Sequence, residues 1–190
     1  MKSIVISGVV VAILLGVGWY IFSLDNRGAG SGDDTEPVMS LTISSPAFAA
    51  GGLIPKVFTC DGKNISPGLN FSNIPADTIS LALTMEDPDV PRSVHTNGMW
   101  NHWLVWNMQA TTTQIKEGAV PTGVVGANTG GKAAYAGPCP PDREHRYIFT
   151  LYSLDDMLSL PSGSTKEELL RALTPHIIEE AELIGRYNRK

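Results

Sequence analysis

The chain has 190 residues, 43% of them apolar and 17% charged, with a formal net charge of -5. This length suits one ordinary domain and cramps two, and the acidic balance excludes a nucleic-acid partner held mainly by phosphate attraction, which needs a basic face. Thirteen prolines and 19 glycines predict many turns and few long helices, and two cysteines are too few for a four-cysteine zinc site but enough for one bridge.

The stretch from Ser3 to Leu24 carries no charged side chain. As a helix it would reach about 30 Å, the thickness of a bilayer core. Lys2 precedes it, and Trp19 and Tyr20 sit near its far end, where interfacial aromatics belong. A cleaved signal has a shorter apolar core and small residues before the cut. Ser23-Leu24-Asp25-Asn26-Arg27 lacks that pattern. Residues 1–24 are therefore expected to be a retained signal anchor, a single-pass transmembrane helix. Lys2 and Arg27 oppose each other in the positive-inside count, and the amino terminus with the acidic Asp33-Asp34-Thr35-Glu36 tract tips the expectation toward a remainder outside the cytoplasm. A secreted or periplasmic protein after cleavage is the alternative. Residues 25–38, with Gly28-Ala29-Gly30-Ser31-Gly32, read as a flexible linker. The domain is expected over 39–190.

Within it, apolar runs are short and separated by Pro, Gly, Asn or Asp, the pattern of strands in an all-β domain. Leu41 to Ile43 reads as a short strand. Ile79 to Met85 alternates large with small residues, so that both faces could be covered, as in a central strand. Trp100 to Asn107 and Arg146 to Leu154 are aromatic and β-branched strand formers. Ser164 or Thr165 is placed to cap a helix from Lys166 to Leu173, with Glu167 or Glu168 completing a capping box. Pro175 reads as the start of a second short helix through Glu180, and Leu183 to Tyr187 as a closing strand. The sum is a β-sandwich or open barrel with two short C-terminal helices.

Three stretches carry chemistry. Asp87-Pro88-Asp89-Val90-Pro91 holds two carboxylates that point the same way if the chain stays extended; the plainer reading is a polar turn. In Trp100-Asn101-His102-Trp103, alternation puts Trp100 and His102 on one face and Asn101 and Trp103 on the other. That reads either as a pocket wall or as a hydrogen-bonded core histidine. Gly137-Pro138-Cys139-Pro140-Pro141 leads to His145-Arg146-Tyr147, where a Gly-Pro backbone lets a ligand approach closely; a rigid connection is the alternative. Gly126 to Lys132 has P-loop spacing, but Ala133 stands where Ser or Thr must bind magnesium. Cys60 and Cys139 are allowed to bridge in an exported domain, or they are two unrelated buried thiols; the bridge is the expectation.

Taken in order, Cys60-Asp61-Gly62, Ile65-Ser66-Pro67, Asp87 to Pro91, Trp100 to Trp103, Gly137 to Pro141 and His145 to Tyr147 resemble the phosphatidylethanolamine-binding protein family. The likeness is greatest to its bacterial and archaeal Raf-kinase-inhibitor-like branch, the YbhB/YbcL type. The resemblance implies an antiparallel β-sandwich with peripheral helices. It also implies a small pocket for anions such as phosphate or a phosphoethanolamine head group. By motif position, Asp87 and Asp89 line it, Pro91 follows a cis bond, Trp100 forms a wall, and His102 and His145 donate to the anion. Gly137 and its neighbours through Pro141 supply backbone, and Tyr147 closes a side. It implies neither metal nor cofactor. The expected partners are a small anion or phospholipid head group and a membrane reached through the N-terminal helix. A role as an inhibitor or regulator of another protein is also open. From the residues alone, a metal-dependent phosphoesterase using Asp87, Asp89, His102 and His145 is the competing reading.

Overall fold

The structure is a computed structural model that describes residues 39–189. The expected anchor and linker, residues 1–38, lie outside the described residues. Among those described, no helix is long and apolar enough to cross a membrane.

In chain order the elements are β1 (Thr42–Ser44), β2 (Leu69–Ser72), β3 (Ser80–Asp87), β4 (Trp100–Gln109), β5 (Gln114–Ile115), β6 (Val124–Val125), β7 (His145–Leu154), α1 (Lys166–Leu173) and β8 (Ile177–Tyr187). The strands form two antiparallel sheets. The smaller has the order β1-β2-β5 and the larger β6-β4-β3-β7-β8.

Strand β3 is central, as its composition predicts, because both of its faces are covered. Leu81, Leu83 and Met85 meet Ile43, Leu69, Phe71, Val105 and Phe149 between the sheets. Ala82 joins Leu104, Trp106 and Leu154 on the opposite face, which α1 closes with Leu169 and Leu173. Each such leucine contributes about 2 kcal/mol by leaving water. Helix α1 is capped by Thr165, whose Oγ1 accepts from Glu168 N while its own N–H donates to Glu168 Oε2 at 2.8 Å. The capping box thus uses Thr165 and Glu168.

The second helix expected from Pro175 to Glu180 is not formed. A single 3-10 turn, Thr174–His176, takes Pro175, and β8 starts at Ile177 rather than at Leu183. The reason is tertiary. Residues Ile177 to Ala181 pair along Leu154 to Leu151 of β7, and the β-branched Ile177-Ile178 pair suits a pleated surface better than a helix.

Candidate ligand-binding site

The larger sheet brings the three chemical stretches to one end. Asp87 ends β3, Trp100 opens β4 and His145 opens β7, and these three strands are neighbours. Asp87 pairs directly with Trp100. A β-bulge then re-aims β4. Met85 and Glu86 pair with Trp103 and Asn101, so His102 is the extra residue between them. Strict alternation is broken here. Trp103 packs in the core between the sheets with Tyr147, and the His102 ring stands edge-on to Tyr147 at 5.2 Å. The expectation that Trp103 faces away from His102 is therefore corrected: both turn toward the inter-sheet side.

A cavity of about 370 Å³ opens at this end. Asp87, Trp100, His102, Gly137 and Pro141 line it, together with the apolar Val90 and Val94 and with Asn64 and Ala136. Cys60 and Cys139, joined by a disulfide with Cα atoms 5.4 Å apart, stand at its rim. Trp100 is held from outside by the His95 ring, edge-on at 5.8 Å.

Four residues expected in the pocket sit elsewhere. Asp89 turns away and is clamped by Arg146, which donates from Nε at 2.9 Å, Nη2 at 2.8 Å and its backbone N at 3.0 Å. This guanidinium contact holds the Asp89 carboxyl at about 2, well below its ordinary value. Pro91 lines a neighbouring recess instead. No cis peptide occurs among the described residues, so the bond before Pro91 is trans; the intrinsic preference at proline is small, and this trans form leads into a turn in which Pro91 O accepts from Val94 N and His95 N. His145 and Tyr147 are fully buried behind the wall.

His145 joins two carboxylates. Its Nδ1 lies 2.7 Å from Asp87 Oδ2 and its Nε2 lies 2.8 Å from Asp142 Oδ1. Neither nitrogen remains for a ligand, so the expectation that His145 donates to an anion is corrected: it positions Asp87. The bond to His145 also lowers the Asp142 carboxyl pKa. Asp87 Oδ1 accepts from Asp89 N at 2.8 Å. Burial and then the Asp87 carboxylate push the Tyr147 phenol up, and its hydroxyl finds no hydrogen-bond partner among the described residues. These placements also disperse the supposed metal set, because Asp89 and His145 turn no free donor to the cavity.

His102 decides the polarity of the floor. Its Nδ1 donates to Ala136 O at 2.7 Å. A carbonyl can only accept, so Nδ1 carries the proton, and the neutral ring shows a lone pair at Nε2. Among the described residues Nε2 has no hydrogen-bond partner, and it opens on the cavity. Burial lowers the His102 pKa below 6.5 and favours that neutral ring. The expected backbone donor is also occupied, since Gly137 N donates to Asn64 Oδ1 at 2.7 Å. Asn64 was missed by sequence reasoning, although it stands between the Cys60-Asp61-Gly62 and Ile65-Ser66-Pro67 stretches. Its left-handed backbone, φ 57°, aims its amide across the rim. The P-loop-like stretch is a structural turn, in which Asn128 Nδ2 donates to Ala134 O and Thr129 N to Asn101 O.

A model of the family described as phosphatidylethanolamine-binding protein matches residues 44–188. The chain belongs to this family. A UPF0098 protein of Chlamydia pneumoniae is 49% identical over 149 residues, 78% of this chain and 99% of that one. A UPF0098 protein of Methanothermobacter thermautotrophicus is 43% identical over 155 residues, with the same coverage of both chains. Among solved structures, the putative phosphatidylethanolamine-binding homologue CT736 of Chlamydia trachomatis is 47% identical with a TM-score of 0.78, covering 80% of this chain and 99% of that chain. E. coli YbcL, described as a new member of the mammalian phosphatidylethanolamine-binding protein family, is 32% identical with a TM-score of 0.73, covering 80% and 100%. The family and the YbhB/YbcL-type branch expected from the motifs are thereby established, as is the two-sheet fold.

Proposed function

We propose that the protein is a non-enzymatic binding module whose cavity takes a small phosphate-type anion, free or as a phosphoethanolamine head group, together with one proton. The observation that carries this reading is the His102 ring, tied through Nδ1 to Ala136 O and open at Nε2 beside Asp87. Two acceptors face the cavity, and an anion brings more lone pairs. Binding requires a proton between them, either on Nε2, which then donates to the anion, or on the anion, which then donates to Asp87. An anion beside the ring raises the His102 pKa from its lowered value. Affinity therefore rises as pH falls, by up to about tenfold per unit while one proton is taken up.

Calorimetry of phosphate and phosphoethanolamine, in two buffers of different ionisation enthalpy, tests this. Net proton uptake on binding, lost in His102→Gln, is the expected result. Binding with no uptake and no pH dependence, or no binding at all, ends the reading.

The same module is proposed to be tethered to the cell membrane by residues 1–24, through the linker 25–38, with its domain extracytoplasmic, and to regulate a protein partner there. Support comes from the uncharged Ser3 to Leu24 run and from a surface-exposed disulfide, which persists in oxidising compartments. Alkaline carbonate should leave the full-length chain in the membrane pellet; release of a shortened chain would mean cleavage.

A further inference from the structure

Next to the cavity, across Val90, lies a shallower recess of about 260 Å³. Its lining includes Asp89, Arg92, Asn97, Gly98 and Arg143. Its chemistry is opposite to that of the cavity. The cavity floor offers acceptors; the recess offers donors.

Each donor can be accounted for. Arg92 makes no ion pair or side-chain hydrogen bond among the described residues, and its side chain lies over Gly98, whose missing Cβ would stand 3.7 Å from Arg92 Cγ and 3.9 Å from Nε. Gly98 has φ +74°, so the close approach and the backbone conformation both suit glycine. Asn97 Oδ1 is already used, accepting from Met99 N at 2.8 Å and from His95 Nδ1 at 2.7 Å. The Asn97 amide therefore has its Nδ2 donors left over. Arg143 is anchored by Asp142 Oδ2 at 2.8 Å and Asp89 O at 3.2 Å, which spends part of its fork and fixes the rest. The one carboxylate in the lining, Asp89, has both oxygens engaged by Arg146.

We propose that this recess is a second anion subsite, which takes a phosphate or sulfate group on Arg92, Asn97 Nδ2 and Arg143. A ligand bearing two acidic groups reaches both hollows across Val90. A planar guanidinium with free N–H groups is the side chain best matched to such oxyanions. The recess needs no proton to bind, because its donors are already in place. That separates it from the cavity, whose floor must gain one.

Sulfate is the decisive probe, because it stays doubly charged at neutral pH and brings no proton. Titrated into the full-length protein and followed by amide and arginine side-chain NMR, it should shift Arg92, Asn97 and Gly98. Arg92→Gln should weaken these shifts by about tenfold or more, the loss expected for a charge-assisted bond. His102→Gln should leave them unchanged. Shifts confined to Asp87, His102 and Ala136, shifts that survive Arg92→Gln, or no shifts would overturn the subsite. Failure of phosphate to perturb the cavity residues, with the recess shifts intact, would remove only the cavity reading. Vesicles of phosphatidylglycerol in phosphatidylcholine separate the sources. Binding weakened by Arg92→Gln assigns the phosphate to a lipid, and sulfate binding without vesicle binding assigns it to a free anion.

Discussion

Replacing both cysteines, Cys60→Ser with Cys139→Ser, opens a loop that spans 79 residues. In the chain-entropy relation the unfolded chain regains about 15 cal/mol/K, and folding loses about 4.5 kcal/mol at 25 °C. Both cysteines are exposed, so the serines leave no cavity to add to that cost. Unfolding entropy near 2.1 cal/mol/K per residue gives about 0.3 kcal/mol/K for a domain of roughly 150 residues, so Tm should fall by about 14 °C. Scanning calorimetry of the oxidised protein and the double variant reads this directly. The same pair shows where the bridge acts. Without it the rim is still held, because Gly137 N donates to Asn64 Oδ1 at 2.7 Å and Cys60 N to Pro138 O at 3.1 Å. Well below the new Tm, phosphate affinity should therefore change by less than about threefold, since the effect lies in the unfolded chain. A Tm loss below about 4 °C would refute the reasoning, because the unfolded chain would already be restricted. Retained stability with a large loss of affinity would refute it differently, by showing that the bridge shapes the native rim.

Three further outcomes are expected. Asp89 has a depressed carboxyl pKa, so its stabilisation is complete above the ordinary 3.8 and is lost as pH falls through about 2. With Arg146 half exposed, screening leaves about 1 kcal/mol, so Asp89→Asn should lose that in urea unfolding at neutral pH and only part of it near the native pKa, where half of the carboxyl is already protonated; equal losses at both would show that the ion pair is irrelevant. Gly137→Ala would push a Cβ into the Phe58 carbonyl, 2.6 Å from Asn64 Oδ1 and 2.9 Å from Thr59 Cα. It should cost about 2 kcal/mol and disrupt the rim, which thermal melts and a phosphate titration would check; an unchanged melt would contradict the tight approach. His102 has a lowered pKa, so the unfolded chain binds more protons than the native one as pH drops below 6.5. Stability should decline there toward the native pKa of His102, and His102→Gln should flatten the decline; parallel urea midpoints for the two proteins would refute it.

What the sequence determined by itself is mostly local. The stretch around Leu81 to Met85 read as a strand covered on both sides, because its large residues alternate with the small Ser80, Ala82 and Thr84, which a neighbouring layer can cover. Thr165 and Glu168 had to cap a helix, because three-residue spacing brings their groups together in a single turn. The motif order carried the family, and with it the end of the sheet where Asp87, Trp100 and His102 meet. The tertiary structure decided the rest. Ile177 to Ala181 became strand because β7 offered an edge. The bulge at His102 broke an alternation that the sequence could only extrapolate. Arg146 took Asp89 out of the cavity from 57 positions away, and Asp142 with Asp87 consumed both nitrogens of His145. Ala136 O fixed the His102 tautomer across 34 positions. Hydrogen-bond partners at such separations are set by packing and register rather than by neighbours in the chain. The residues named the cavity's chemistry; only the folded arrangement determined which of their atoms remained free to perform it.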